Sequence, residues 1–155
     1  NGLDVLEPGE VSTLTLAGMG GRRIIEILDA REDVRESLQC MVLQPQKEAE
    51  ALRRWLVSKN WSVSDEQVVE ERGRFYTVMA WQPGSTLRRW TDLDYRYGPL
   101  VIASGGRTVQ AWLTDELRHA KNNLNSMVRS SPEHARRPEL LARCVELQEL
   151  LASLA

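Results

Sequence analysis

Soft metal ligands are scarce in this chain: its 155 residues include two cysteines, Cys40 and Cys144, and two histidines, His119 and His134. No cluster with metal-ligand spacing can be assembled from them, so no metal is expected. One thiol lies in an apolar run and the other on a predicted helix, in a chain long enough to bury a core without staples. They read as reduced, buried cysteines of a cytoplasmic protein. No stretch approaches the roughly 20 apolar residues of a membrane span. The start, Asn1-Gly2-Leu3-Asp4, lacks the basic region and apolar core of a secretion signal, so no membrane partner is expected. Excess charge of one sign is also missing. Twenty Lys and Arg against twenty-two Asp and Glu leave a net charge of -2, which excludes a global positive field for nucleic acid and confines any RNA contact to a local patch. Internal repeats and low-complexity tracts are absent.

What is present is organised around Thr13-Leu14-Thr15-Leu16-Ala17-Gly18-Met19-Gly20-Gly21, followed at once by Arg22-Arg23-Ile24-Ile25-Glu26-Ile27-Leu28. The first part reads as a strand buried on both faces and the last as a helix with an apolar stripe. The glycines between them allow positive φ or close approach of another molecule. Ligands of open α/β sheets collect beyond the carboxyl ends of parallel strands, where unpaired N–H groups of a following helix attract anionic or electron-rich groups. This loop is the first candidate site; the alternative is a turn that only packs helix on sheet.

A second near-continuous apolar strand, residues 39–45, ends at Pro45, and strand, helix and strand make a right-handed βαβ unit with parallel, adjacent strands. Gln44 and Pro45 therefore converge with the glycine loop. Residues 47–58 follow with Ala49, Leu52, Trp55 and Leu56 on one helical face. Residues 61–70 and 74–82 then alternate around Glu71-Arg72-Gly73 as an antiparallel hairpin should. Pro83-Gly84-Ser85 closes the sheet region, and 87–100 read as loop with a short helix ending in the bend Tyr97-Gly98-Pro99. From Val109 a helical stripe runs through Trp112, Leu113, Leu117, Ala120, Leu124, Met127 and Val128 to a stop near Ser130-Ser131-Pro132. A second helix, with Pro138 in its first turn, carries Leu140, Leu141, Val145, Leu147, Leu150, Leu151 and Leu154, so the two read as an antiparallel hairpin. The domains are 1–83, a connecting segment 84–106 and a helical appendage 107–155.

The run Leu16-Ala17-Gly18-Met19-Gly20-Gly21, then Leu43-Gln44-Pro45, then Leu52-Arg53-Arg54-Trp55-Leu56 with Asn60-Trp61, then Tyr97-Gly98-Pro99 ahead of Trp112, resembles the bacterial tRNA (adenine-22 N1)-methyltransferases of the TrmK type across nearly the whole chain. The resemblance implies an α/β fold, the second half of a Rossmann-like class I methyltransferase sheet, followed by a helical coiled-coil appendage. It implies S-adenosylmethionine as cofactor and tRNA as partner. The family's cofactor-binding strands precede the point matched by Asn1, so the chain is expected to be a C-terminal portion, inactive alone. Its first strand should then expose an edge from Thr13 to Ala17 that invites self-association.

By family position, Ala17, Gly18, Met19, Gly20, Gly21, Gln44 and Pro45 form the side of the cleft that holds the target base. Their role is positioning, and no proton-transfer residue is assigned. Met19 could instead fill core, and Gln44 could cap the next helix. Of the arginine pairs at 22–23, 53–54, 88–89 and 136–137, the favoured phosphate contacts are Arg22, Arg23, Arg136 and Arg137. Tyr97 could stack on a base or pack inside. Trp55, Trp61, Trp81 and Trp112 fit packing roles. A dinucleotide oxidoreductase fits poorly, because Arg23 stands where a third glycine is needed and Gln44 where an acidic ribose ligand is wanted. The stronger alternative is a non-catalytic RNA- or protein-binding module acting through the helical hairpin.

Overall fold

The computed structural model describes residues 2–85, 88–130 and 135–154; His134, the Ser131-Pro132 stop and the side chain of Val128 lie outside the described residues. The elements are β1 (Thr13–Met19), α1 (Gly21–Asp29), α2 (Glu32–Ser37), β2 (Cys40–Pro45), α3 (Ala49–Ser58), β3 (Trp61–Glu71), β4 (Arg74–Pro83), α4 (Asp92–Tyr97), α5 (Pro99–Ser104), α6 (Arg107–Ser130) and α7 (Arg137–Ser153). They divide into two compact units, Asn1–Ala103 and Ser104–Ala155.

In the first unit the sheet order is β1-β2-β4-β3. The crossover through α1 and α2 makes β1 and β2 parallel, whereas β4 runs antiparallel to both β2 and β3. Register places Leu14 opposite Met41 and Leu16 opposite Leu43, then Met41 opposite Trp81 and Leu43 opposite Met79. One sheet face is therefore a continuous apolar row. It is buried with Ile24 and Leu28 of α1, Val34 of α2, and Leu52 and Leu56 of α3. The hairpin turn at Arg72-Gly73 has positive φ at both positions, 51° and 75°, the geometry that matches strand twist in a two-residue loop.

Two expectations change here. The strand β1 is not buried on both faces: Thr13, Thr15 and Ala17 are exposed and Leu14 and Leu16 half-buried, because the first three lie on the face opposite the helices that cover Leu14 and Leu16, and β1 is the sheet's terminal strand, with β2 on one side and no strand on the other among the described residues. The bend at residues 97–100 is not loop but the junction of two helices. Thr91 opens α4 with a reciprocal capping box to Asp94, Gly98 at φ 92° ends it, and Pro99 starts α5, where its missing N–H costs nothing.

A bulge shapes the far side of the sheet. The ladder shifts between Val63 and Asp65, so that Glu66 pairs with Met79 and joins the covered face. There it meets Arg53 of α3, Nε to Oε1 at 2.8 Å, with neither side chain exposed. Arg53 also donates from one guanidinium nitrogen to the carbonyls of Tyr95 and Arg96, both at 3.1 Å, and Glu66 Oε2 accepts the Leu100 N–H at 3.2 Å. This buried pair clamps the α4–α5 junction to the sheet.

The second unit is a helical hairpin. Gln110 Nε2 donates to the Leu154 carbonyl at 2.9 Å and Arg143 reaches Glu116 at 2.6 Å, two cross-links that fix α6 and α7 as antiparallel. Val109, Leu113, Ala120, Cys144, Leu147 and Leu150 are buried. Leu141 and Val145, expected on the stripe, are exposed. Among the described residues no helix is long and apolar enough to cross a membrane, and no group of three His, Cys, Asp or Glu is placed to hold a metal.

Candidate functional site

Parallel pairing brings the carboxyl ends of β1 and β2 together, and with them the two nominated loops. Ala17 pairs with Gln44 and Met19 with Pro45, leaving Gly18 as an extra residue in β1. Gly18 sits at φ 78°, a conformation that glycine adopts without the Cβ penalty. The bulge takes its N–H out of the ladder, and the Gln44 side chain accepts it: Gly18 N to Gln44 Oε1 is 2.9 Å. The loops then zip onward. Gln46 N–H donates to the Met19 carbonyl at 2.9 Å and Gly21 N–H to the Lys47 carbonyl at 2.8 Å. Glu48 Oε2 accepts the Arg22 N–H at 3.4 Å, and Glu48 Oε1 stands 3.2 Å from Arg22 Nε.

This seam overturns the reading of the loop as an anion-friendly turn. The N–H groups of Gly18, Gly21 and Arg22 all have acceptors, and the Glu48 carboxylate stands at the start of α1, where an anion would otherwise be drawn. A second anion there would be repelled. The seam suits a neutral or cation-forming group.

Gly21 owes its identity to this closeness, since a Cβ at that position would collide with the backbone carbonyl of Glu48. At Gly18 a Cβ would meet nothing within 4 Å among the described residues, so the positive φ is what selects glycine. Ala17 and Gly18 are exposed, Met19, Gly20 and Gln44 half-buried, and Pro45 buried. Gln44 does not cap α3, whose N-cap residue is Glu48 in a left-handed conformation. Instead its Oε1 is committed to Gly18, while its Nε2 is buried with no hydrogen-bond acceptor among the described residues. Arg35 Nε, Arg53 Nη2 and Trp81 Nε1 are buried without an acceptor too, but of these four donors among the described residues only that of Gln44 stands at the strand ends beside the glycine loop.

The RNA candidates fare differently. The side chains of Arg22 and Arg23 are exposed, at 77% and 54%, and paired with Glu48 and Glu26. Arg136 and Arg137 are exposed at the start of α7. Tyr97 is 1% exposed, so a base cannot stack on it in this arrangement, and packing is the role its surroundings allow. Arg53 is not a solvated helix-face residue but half of the buried clamp. Its neighbour Arg54 lies 4.2 Å over the Tyr95 ring and bridges Glu50 and Asp92. Trp61 and Trp81 are buried core. His119 is exposed beside Asp115.

Three features had no reading in the sequence: the clamp, the Glu48 contact to α1, and the bulge at Gly18. The bulge could have been suspected from a glycine inside a strand pattern. A cleft of about 360 Å³ at the β3–β4 tip, lined by Glu71, Arg72, Arg74 and Tyr76, contains none of the nominated residues.

A parallel pair extended by an antiparallel hairpin, with a bulged glycine loop at the strand ends, defines the Rossmann-like class. Within that class, residues 1–149 match the family model of TrmK, tRNA (adenine(22)-N(1))-methyltransferase, and the chain belongs to that family. A tRNA (adenine(22)-N(1))-methyltransferase of Bacillus subtilis strain 168 is 29% identical over 97% of this chain and 65% of its own length. The crystal structure of the B. subtilis m1A22 tRNA methyltransferase TrmK superposes with a TM-score of 0.78 at 25% identity, covering 99% of this chain and 67% of that one. A Streptococcus pneumoniae structure in complex with S-adenosyl-L-methionine gives a TM-score of 0.85 at 26% identity, over 97% of this chain and 65% of that one. The chain thus spans about two thirds of the length of the relatives it matches.

Proposed function

We propose that this chain supplies the target-base side of an S-adenosylmethionine-dependent methyltransferase that modifies N1 of an adenine in tRNA, acting in the cytoplasm. The observation that carries the reading is the zipped seam of residues 17–21 and 44–48, which holds a bulged, exposed Gly18 against a Gln44 amide with a donor to spare. That donor set suits a nitrogen heterocycle. Coverage of 65% of the curated relative is consistent with a partial, C-terminal portion, and the groups that hold the cofactor's ribose are not assigned to residues of this chain.

When bound, S-adenosylmethionine supplies the methyl group on a sulfonium. Adenine N1 offers an in-plane lone pair, so no proton must leave first, and the chain's task is to fix the base in line with the methyl. The base becomes cationic on transfer. A carboxylate at Glu48, beside Gly20, favours that charge where a phosphate site would oppose it. Arg23, Arg136 and Arg137 serve as phosphate contacts, while Arg22 is held by Glu48.

The test measures methyl transfer from labelled S-adenosylmethionine to a tRNA transcript, with the chain as it stands and with it joined to the remaining third of the B. subtilis relative. Incorporation as N1-methyladenosine by the joined protein alone is the expected result. tRNA binding without incorporation in either would favour the non-catalytic module instead. The open edge of β1 supports self-association of the isolated chain, to be read by sedimentation as a mass that rises with concentration; a single-chain mass throughout removes that part of the reading.

A further inference from the structure

The Gln44 amide has its oxygen and nitrogen distinguished and its donor unmet among the described residues. Its oxygen is identified by the Gly18 N–H that it accepts at 2.9 Å, since an amide nitrogen in that place would set donor against donor. Its nitrogen is therefore assigned as well, and it is buried with no acceptor among the described residues. Leaving such a donor unmet is costly, and at a strand-end cleft an arriving ligand can relieve that cost. The amide lies between the carboxyl ends of the two parallel strands, beside exposed Ala17 and Gly18.

We infer that Gln44 reads the Hoogsteen edge of the target adenine: Nε2 donates to N7 and Oε1, through its second lone pair, accepts from the N6 amino group. This deepens the proposed function and rests on it. A carboxamide and adenine form this bidentate pair in protein–nucleic acid contacts generally. It leaves N1 unoccupied, as attack on the methyl requires. It also separates adenine from guanine, whose O6 would set one acceptor against another at Oε1. Nε2 is enclosed in the unliganded arrangement, and because the last torsion of a glutamine side chain is broad, the amide turns to present Nε2 to an arriving base while Oε1 stays near Gly18.

The test uses the joined protein and tRNA carrying adenosine, 7-deazaadenosine or 3-deazaadenosine at the methylated position. Removing either ring nitrogen raises the basicity of N1, so a fall in rate cannot come from a weaker nucleophile. The 7-deaza substrate should lose about tenfold or more in kcat/KM and the 3-deaza substrate little. In Gln44→Glu, which keeps the acceptor for Gly18 and loses the donor, adenosine and 7-deazaadenosine should react alike, with cofactor affinity unchanged. A wild-type enzyme indifferent to 7-deaza substitution overturns the inference, whether or not the variant folds. So does a Gln44→Glu protein that keeps the 7-deaza penalty and loses cofactor affinity instead. Failure to methylate adenosine itself would strike the methyltransferase reading, a separable result.

Discussion

The seam at Gly18 to Glu48 and the clamp at Arg53 and Glu66 solve the same problem with opposite materials. Each locks a loop to the sheet and each contains a glycine with no room for a Cβ. At Gly21 the obstacle is the Glu48 backbone carbonyl; at Gly98 it is the clamp itself, Glu66 Oε2 at 2.5 Å and Arg53 Nη2 at 2.8 Å from the added atom. The seam is mostly main chain, and its ion pair, Arg22 with Glu48, is open to water. The clamp is side chain, and its ion pair is sealed. Main-chain bonding leaves side chains near the site free to touch a ligand, which suits the seam. A sealed pair gives rigidity, and cannot lose one member cheaply.

The largest break should therefore come from Arg53→Ala, which strands a buried carboxylate and removes the donors to Tyr95 and Arg96. Urea unfolding should show a loss of about 3–5 kcal/mol, and the double replacement Arg53→Met with Glu66→Leu should recover much of it. A double variant no more stable than Arg53→Ala would show that the pair itself holds the junction.

Next come the glycines. Gly98→Ala meets both positive φ and the clamp, and should cost about 2–4 kcal/mol. Gly21→Ala opens α1 without a positive φ and meets the carbonyls of Glu48 and Lys47, so about 1–3 kcal/mol is expected, with the loss falling on methyl transfer as the seam opens. Equal effects on stability with activity untouched would mean that the seam is only packing.

The same contrast explains what could be read from residues alone. Hydrophobic period and turn residues placed β1, β2, the hairpin and both long helices, because those elements bury a face at regular spacing. Family position brought Ala17, Gly18, Met19, Gly20 and Gly21 against Gln44 and Pro45, and parallel pairing puts them together. What the period could not show was a change of face. Ser64 sits at a bulge that turns Glu66 inward, and Arg53, beside an exposed Arg54 in an apparently solvated pair, turns in to meet it. Nor could strand composition reveal that β1 is an edge, which only the family resemblance implied, since apolar residues read as buried until a neighbour is counted.

Titration offers a finer separation. Burial pushes the Glu66 carboxyl above its ordinary 4.5, against the opposing pull of Arg53 and the Leu100 N–H. A carboxyl that holds its proton more tightly folded than unfolded adds stability at low pH, and that contribution is lost as pH rises through the folded value. Unfolding free energy should therefore carry a component that declines upward from pH 4.5, absent from the Arg53→Met, Glu66→Leu double variant. A double variant with the same slope would assign the titration elsewhere.

The smallest effect tests the seam's open ion pair. Glu48→Gln keeps the left-handed backbone at φ 61°, so its strain cancels in the comparison and only the charge is removed. Arg22 is 77% exposed and the Glu48 side chain 32%, where water and salt screen the attraction. The loss should stay below about 1 kcal/mol and shrink further as salt is raised. A loss approaching that of Arg53→Ala would mean that the seam is held by charge after all, and the contrast between the two locks would fall. If stability is kept while methyl transfer slows, the carboxylate acts on the cation forming at the base and not on the fold.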